Sequence, residues 1–180
     1  TALAANGIQE VYRLLAEDEA RNAQIVEDVV AAVGQGRSPI VLTERTAHRD
    51  SLAAAMSERV PHVFVLSSGA GIRKRAELAE RLGAVPEGEP RVLVATGRLV
   101  GEGFDDARLD TLFLAMPISW RGTLQQYAGR LHRLHDEKRE VVVYDYVDEI
   151  HPMLAKMWEK RLRGYRTMGY RVEGEMDQSK

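Results

Sequence analysis

The sequence predicts an α/β domain of three layers, with a mostly parallel central sheet flanked by helices. Two observations carry this. Five short runs rich in β-branched and other apolar residues, at 39–43, 62–66, 91–96, 111–115 and 140–145, are nearly continuous rather than alternating, the pattern of strands buried on both faces. Between them lie stretches with apolar residues at helical spacing, and strands that alternate with helices build parallel sheets through crossovers.

The elements follow in order. Residues 8–32 read as helical, with Ile8, Val11, Tyr12, Leu14 and Leu15, then Ile25, Val26, Val29 and Val30 at helical spacing, until Gly34 and Gly36 end the pattern. The run Pro39-Ile-Val-Leu-Thr43 is a strand, and Leu52, Ala55 and Met56 mark the helix after it. The unit recurs as His62–Leu66 with a helix over 73–82, and again as Arg91–Thr96 followed by a glycine-rich turn. Thr111–Ala115 leads to a helix carrying QQYAGRLHR, Gln125 to Arg133. Glu140–Asp145 leads to a last helix from about Pro152 to Met168, with Leu154, Met157, Trp158, Leu162, Tyr165 and Met168 on one side and basic residues on the other. The expected organisation is an N-terminal helical segment at 1–36, the domain proper at 37–150, an amphipathic helix with a solvated basic face at 151–171, and a disordered tail at 172–180.

Composition narrows the function. A chain of 180 residues with 44% hydrophobic residues builds one good core and has no room for a second large domain. Its net charge of −2 means that any nucleic-acid contact uses local patches or backbone amides. Charge is polarised: Glu10, Glu17, Asp18, Glu19, Glu27 and Asp28 face only Arg13 and Arg21 near the start, and Lys156, Lys160, Arg161, Arg163, Arg166 and Arg171 outweigh Glu159 near the end. The absence of cysteine excludes disulfides, thiolate metal sites and a cysteine nucleophile. No signal peptide or membrane-length apolar stretch is present, so a cytoplasmic protein without membrane partners is expected. Thr1 is not a natural start residue, which points to a chain cut from something longer.

The chemistry-bearing motifs fall where strands end. In open α/β sheets ligands gather at the carboxyl edge, beside helix N-termini and loop amides. Thr96 and Gly97 close the third strand, where a hydroxyl and free amides can bind phosphate; a capping threonine is the plainer use. In Gly101-Glu-Gly-Phe-Asp105, Gly101 and Gly103 allow close approach to a ligand, and Asp105 could accept a ribose hydroxyl or simply form an Asx turn. On a helix, Gln126, Arg130 and Arg133 stand at i, i+4 and i+7 and share a face, a guanidinium fork suited to a phosphate chain. There is no GxxxxGK[ST] loop, so a complete P-loop nucleotide site cannot be built from this chain alone. His132 and His135 have neither a cysteine nor a convincing acidic third ligand, and no metal site is expected. Trp120, with Arg121 just before the arginine helix, reads better as a buried indole anchoring the loop than as a base-stacking platform.

From Pro39 to Asp145, the succession of TER after the first strand, SSG after the second, VLVATGRLVGEGFD, FLAMP and QQYAGRLHR resembles the second RecA-like domain of superfamily 2 helicases, a P-loop NTPase-type fold. Residues 96–105 are similar to motif V and 126–133 to motif VI in its QxxGRxxR form. The glutamine at its head looks like the DNA-translocating branch of restriction-enzyme motors and XPB-like repair helicases, and Tyr127 stands where DEAD-box proteins carry arginine. The resemblance implies that Arg130 and Arg133 are arginine fingers, and that Gly103, Asp105 and Gln126 contact nucleotide. It also implies that Thr43, Arg45, Ser67, Thr96 and Gly97 track the nucleic-acid backbone. For Thr43, with Thr46, helix capping is the plainer reading, for Arg45 a solvated charge and for Ser67 a polar turn. ATP with Mg2+ would be bound mainly by a first RecA-like domain, the partner lobe absent from this chain, with DNA as the favoured track and RNA left open. A stand-alone α/β module that binds nucleic acid or a partner without hydrolysis is the competing expectation.

Overall fold

The computed structural model describes residues 2–67, 69–96, 106–118, 124–131, 140–149 and 151–174, with the side chains of 2–6, 126, 127 and 130 outside that description. Five strands, β1 (Pro39–Thr43), β2 (His62–Leu66), β3 (Arg91–Thr96), β4 (Thr111–Leu114) and β5 (Val142–Asp145), form one sheet in the order β2-β3-β1-β4-β5. Every pairing is parallel. Among the described residues six helices accompany them: α1 (Ala2–Glu17), α2 (Glu19–Gly34), α3 (Thr46–Ser57), α4 (Ile72–Ala84), α5 (Gln125–Leu131) and α6 (Pro152–Thr167).

Period-two alternation divides the core between the two faces of the sheet. Val41, Val92, Val94, Phe113 and Ala115 pack against Ile25, Val29 and Ala32 of α2 and Leu52 and Met56 of α3. Ile40, Leu42, Leu93, Leu112 and Leu114 pack on the other side against Leu78 and Leu82 of α4, and Leu124 and Leu131 bracket α5 on that face. Placing α3 and α4 on opposite faces keeps both crossovers right-handed, because β1 to β2 runs in one direction across the sheet and β2 to β3 returns. On the α2 side the neighbouring rings of Phe113 and Tyr144 stack at 4.3 Å.

Two expectations change. The helical pattern over 8–32 is two helices: the chain bends at Asp18, whose carboxylate caps α2 by accepting from the Arg21 amide at 3.0 Å. The apolar spacing runs on across the break, which is why periodicity alone misses it. Helix α2 also forms part of a full layer, with Ile25, Val29 and Ala32 buried. The second change concerns α6. Lys156, Lys160, Arg163 and Arg166 are exposed, but Arg161, counted with them on the solvated basic face, is 1% exposed and paired with Asp145.

Candidate nucleotide and nucleic-acid edge

The carboxyl ends of the strands bring together most of the describable candidates. Thr43 and Thr96 are register partners on neighbouring β1 and β3. Leu66 pairs with Ala95 one step earlier, so Ser67 leaves β2 at the level of Thr96. Three residues distant in sequence thus line one edge, an arrangement set by parallel register.

Their environments differ. Thr43 is fully buried, and its hydroxyl lies 2.7 Å from His48 Nδ1 on α3. His48 Nε2 lies 2.8 Å from Asn22 Oδ1, and Asn22 Nδ2 donates to the Ala16 carbonyl at 2.8 Å. That last bond orients the amide, so Oδ1 must accept; His48 then donates through Nε2, and Thr43 donates to Nδ1. Burial, reinforced by nearby Arg21, pulls the His48 pKa down to about 4, so the ring is neutral at physiological pH. Thr43 is thus one link in a buried chain joining β1, α3 and the α1–α2 bend. It does not cap a helix. Arg45 occupies the α3 N-cap with extended backbone and no side-chain cap bond, and is half-buried.

Ser67 is exposed, and its carbonyl accepts from the Ala70 amide at 3.3 Å in a turn where Gly69 takes φ +74. Behind it the buried Arg49 donates to the Leu66 carbonyl at 3.3 Å. Thr96 is buried, and its hydroxyl has no hydrogen-bond partner among the described residues. By alternation it points to the same side as Val92 and Val94, as Thr43 does.

Helix α5 starts on the same edge and is anchored by buried Leu124, Ala128 and Leu131. Gln126 and Arg130 lie on it, with side chains outside the description; Gly97, Gly103, Asp105 and Arg133 lie outside the described residues altogether, as do His132, His135, Trp120 and Arg121.

Two further arginines, the half-buried Arg21 and the buried Arg161, also serve this edge. Arg21 of α2 donates to the Ala115 carbonyl at 2.5 Å, sits 3.3 Å from Asp148, and has its guanidinium carbon 5.8 Å from the centre of the Tyr146 ring. Arg161 binds Asp145 through two nitrogens at 2.7 and 2.9 Å and donates to the Ile118 carbonyl at 3.0 Å. The Tyr165 hydroxyl completes that cluster by donating to Asp145 at 2.8 Å; burial, then the neighbouring carboxylate, raises its pKa. No sequence signal separates Arg161 from the exposed basic residues beside it. Among the described residues no group of three or more His, Asp or Glu side chains is placed to hold a metal ion, and no helix is long and apolar enough to cross a membrane.

No protein-family model matches the chain. It is 37% identical over 81 residues to the uncharacterized protein 108L of Invertebrate iridescent virus 3, a match covering 45% of this chain and 73% of that protein. Among solved structures it is similar to T4 UvsW, with a TM-score of 0.70 at 17% identity over 88% of this chain. It is also similar to the C-terminal part of the Fun30 ATPase domain, with a TM-score of 0.60 at 15% identity over 71% of this chain. The chain spans 35% of the UvsW chain and 40% of the Fun30 one. These likenesses show a three-layer α/β fold of the RecA-like kind.

Proposed function

The chain belongs to the family of the uncharacterized protein 108L of Invertebrate iridescent virus 3, and we propose that it is the second motor lobe of an ATP-dependent superfamily 2 helicase or translocase acting on nucleic acid, DNA by preference. The observation that carries this reading is α5: a helix bearing QQYAGRL, the described part of the motif, follows the central strands of an all-parallel RecA-like sheet, at whose carboxyl edge phosphate ligands gather. The Fun30 fragment, named as part of an ATPase domain, supports it through the shared fold.

In this reading ATP and Mg2+ are held mainly by a first RecA-like lobe, and this chain approaches across the cleft. The metal's chemistry is to neutralise charge on the transferring phosphoryl group. Arg130 and Arg133 stabilise the same developing charge with guanidinium donors, and Gln126, Gly103 and Asp105 orient the nucleotide. Arg45 and Ser67 meet the nucleic-acid backbone, with Gly97 beside them and Thr43 and Thr96 supporting the edge from beneath. Closure of the cleft then shifts that grip. The branch that includes restriction-enzyme motors and XPB-like helicases fits the glutamine at the head of the motif.

The test is Arg130→Ala and Arg133→Ala in the full-length protein. Loss of either finger is expected to lower ATP turnover by about a thousandfold or more; turnover near wild type sinks the assignment. One observation favours a second reading, a non-hydrolysing binding module. Protein 108L, of which 81 residues make up 73%, is too short to hold two RecA-like lobes. Under that reading nucleic acid binds, and ATP turnover is absent from the full-length protein.

A further inference from the structure

Residues 115–118, which follow β4, are held from both sides of the sheet by an arginine. From the α2 layer, Arg21 donates to the Ala115 carbonyl at 2.5 Å. From the other, Arg161 of α6 donates to the Ile118 carbonyl at 3.0 Å. Each arginine is in turn paired with a carboxylate at or just beyond the carboxyl end of β5, Arg21 with Asp148 and Arg161 with Asp145. Ala115 follows directly on β4 and Ile118 lies three residues further on, so a fixed guanidinium donor on each carbonyl holds the chain as it leaves the sheet. Helix α5 begins at Gln125, further along the same stretch of chain.

We propose that Arg21 and Arg161 are a two-sided clamp that positions the arginine-bearing helix α5, and that this clamp links its position to the helices at both ends of the chain. The clamp follows from the contacts above; its consequence for catalysis rests on the motor reading.

Its two jaws are unequal. Arg161 is 1% exposed and held bidentately by Asp145, while its guanidinium carbon lies 5.7 Å from the centre of the Trp158 ring. Arg21 and Asp148 approach at 3.3 Å without hydrogen-bond geometry, leaving Arg21 Nε and Nη2 without a hydrogen-bond partner among the described residues. Arg161 is the fixed jaw and Arg21 the one that a movement of α2 can release. A comparable buried arginine at the opposite edge gives the control: Arg91, 2% exposed, donates to the Leu82 carbonyl at 2.9 Å and pairs with Asp106, far from the β4–α5 segment.

The experiment compares Arg21→Gln, Arg161→Gln and Arg91→Gln in the full-length protein, reading hydrogen exchange and steady-state ATP turnover on the same preparations. Both clamp variants are expected to speed exchange across residues 115–131 about tenfold. They should lower kcat with KM for ATP unchanged, while Arg91→Gln does neither once normalised to folded protein. Arg21→Lys, which keeps a cation and a donor for Ala115, should recover most of the protection. Unchanged exchange at 115–131 in folded clamp variants overturns the proposal, as does an equal effect from Arg91→Gln or raised exchange with kcat intact. If Arg161→Gln fails to fold, Arg21→Gln and Asp148→Asn decide by the same criteria. Wild-type protein without ATP turnover refutes the motor reading alone, and exchange still decides whether the clamp exists.

Discussion

Lowering the pH from 7 to 5 should unfold this domain more easily, through His48. In the fold its pKa is pulled from 6.5 to about 4, first by burial and then by Arg21. Its other neighbours, Thr43 and Asn22, are neutral hydrogen-bonding groups. A depressed histidine pKa means that the unfolded chain binds more protons between the two values, so stability rises with pH across that window and is lost as pH falls from about 6.5 toward 4. Integrating that linkage between pH 7 and pH 5 gives a loss of about 2 kcal/mol. Denaturant unfolding of wild type and His48→Gln at both pH values isolates this contribution, because the remaining histidines and the carboxylates are common to both proteins. The wild type should lose about 2 kcal/mol more than the variant on acidification. An equal loss in the two proteins refutes the reasoning, as does an NMR titration placing the His48 midpoint near 6.5.

Other outcomes follow from the packing. Phe113→Ala removes a fully buried ring stacked on Tyr144 and should cost about 3–5 kcal/mol in unfolding free energy. Asp145→Asn strands the buried Arg161 charge and should cost about 3–5 kcal/mol, whereas the double change Asp145→Leu with Arg161→Met should recover much of that loss in the same denaturant assay. Asp18→Ala removes the α2 cap and should cost about 1 kcal/mol, measured by thermal unfolding.

Much of the architecture was legible because local pattern and burial coincide. All five strand positions were readable as continuous apolar runs, and this works because parallel strands covered on both faces admit few polar residues. Two boundaries moved: Ala115 lies just beyond β4, though its amide still donates to the Leu42 carbonyl at 2.8 Å, and β5 starts at Val142 rather than Glu140. The site was legible only at the level of which elements carry it. The resemblance put Thr43 on the nucleic-acid track, but the sequence does not show that its hydroxyl meets His48 in the first turn of the next helix. Arg161 looked like its exposed neighbours because three- and four-residue spacing does not show which helical residue meets a carboxylate sixteen positions away.

The sequence by itself determined the fold class and the positions of the strands, since hydrophobic period and glycine stops are local properties. Strand order, with β1 at the centre, and the burial of Arg21, His48, Arg49 and Arg161 behind the carboxyl edge were decided only by tertiary structure. The physical reason is that a charged or polar side chain enters a core only where partners from distant segments satisfy it. Asn22 for His48, the Leu66 carbonyl for Arg49, Asp145 for Arg161 and the Ala115 carbonyl for Arg21 become such partners only once the sheet has assembled.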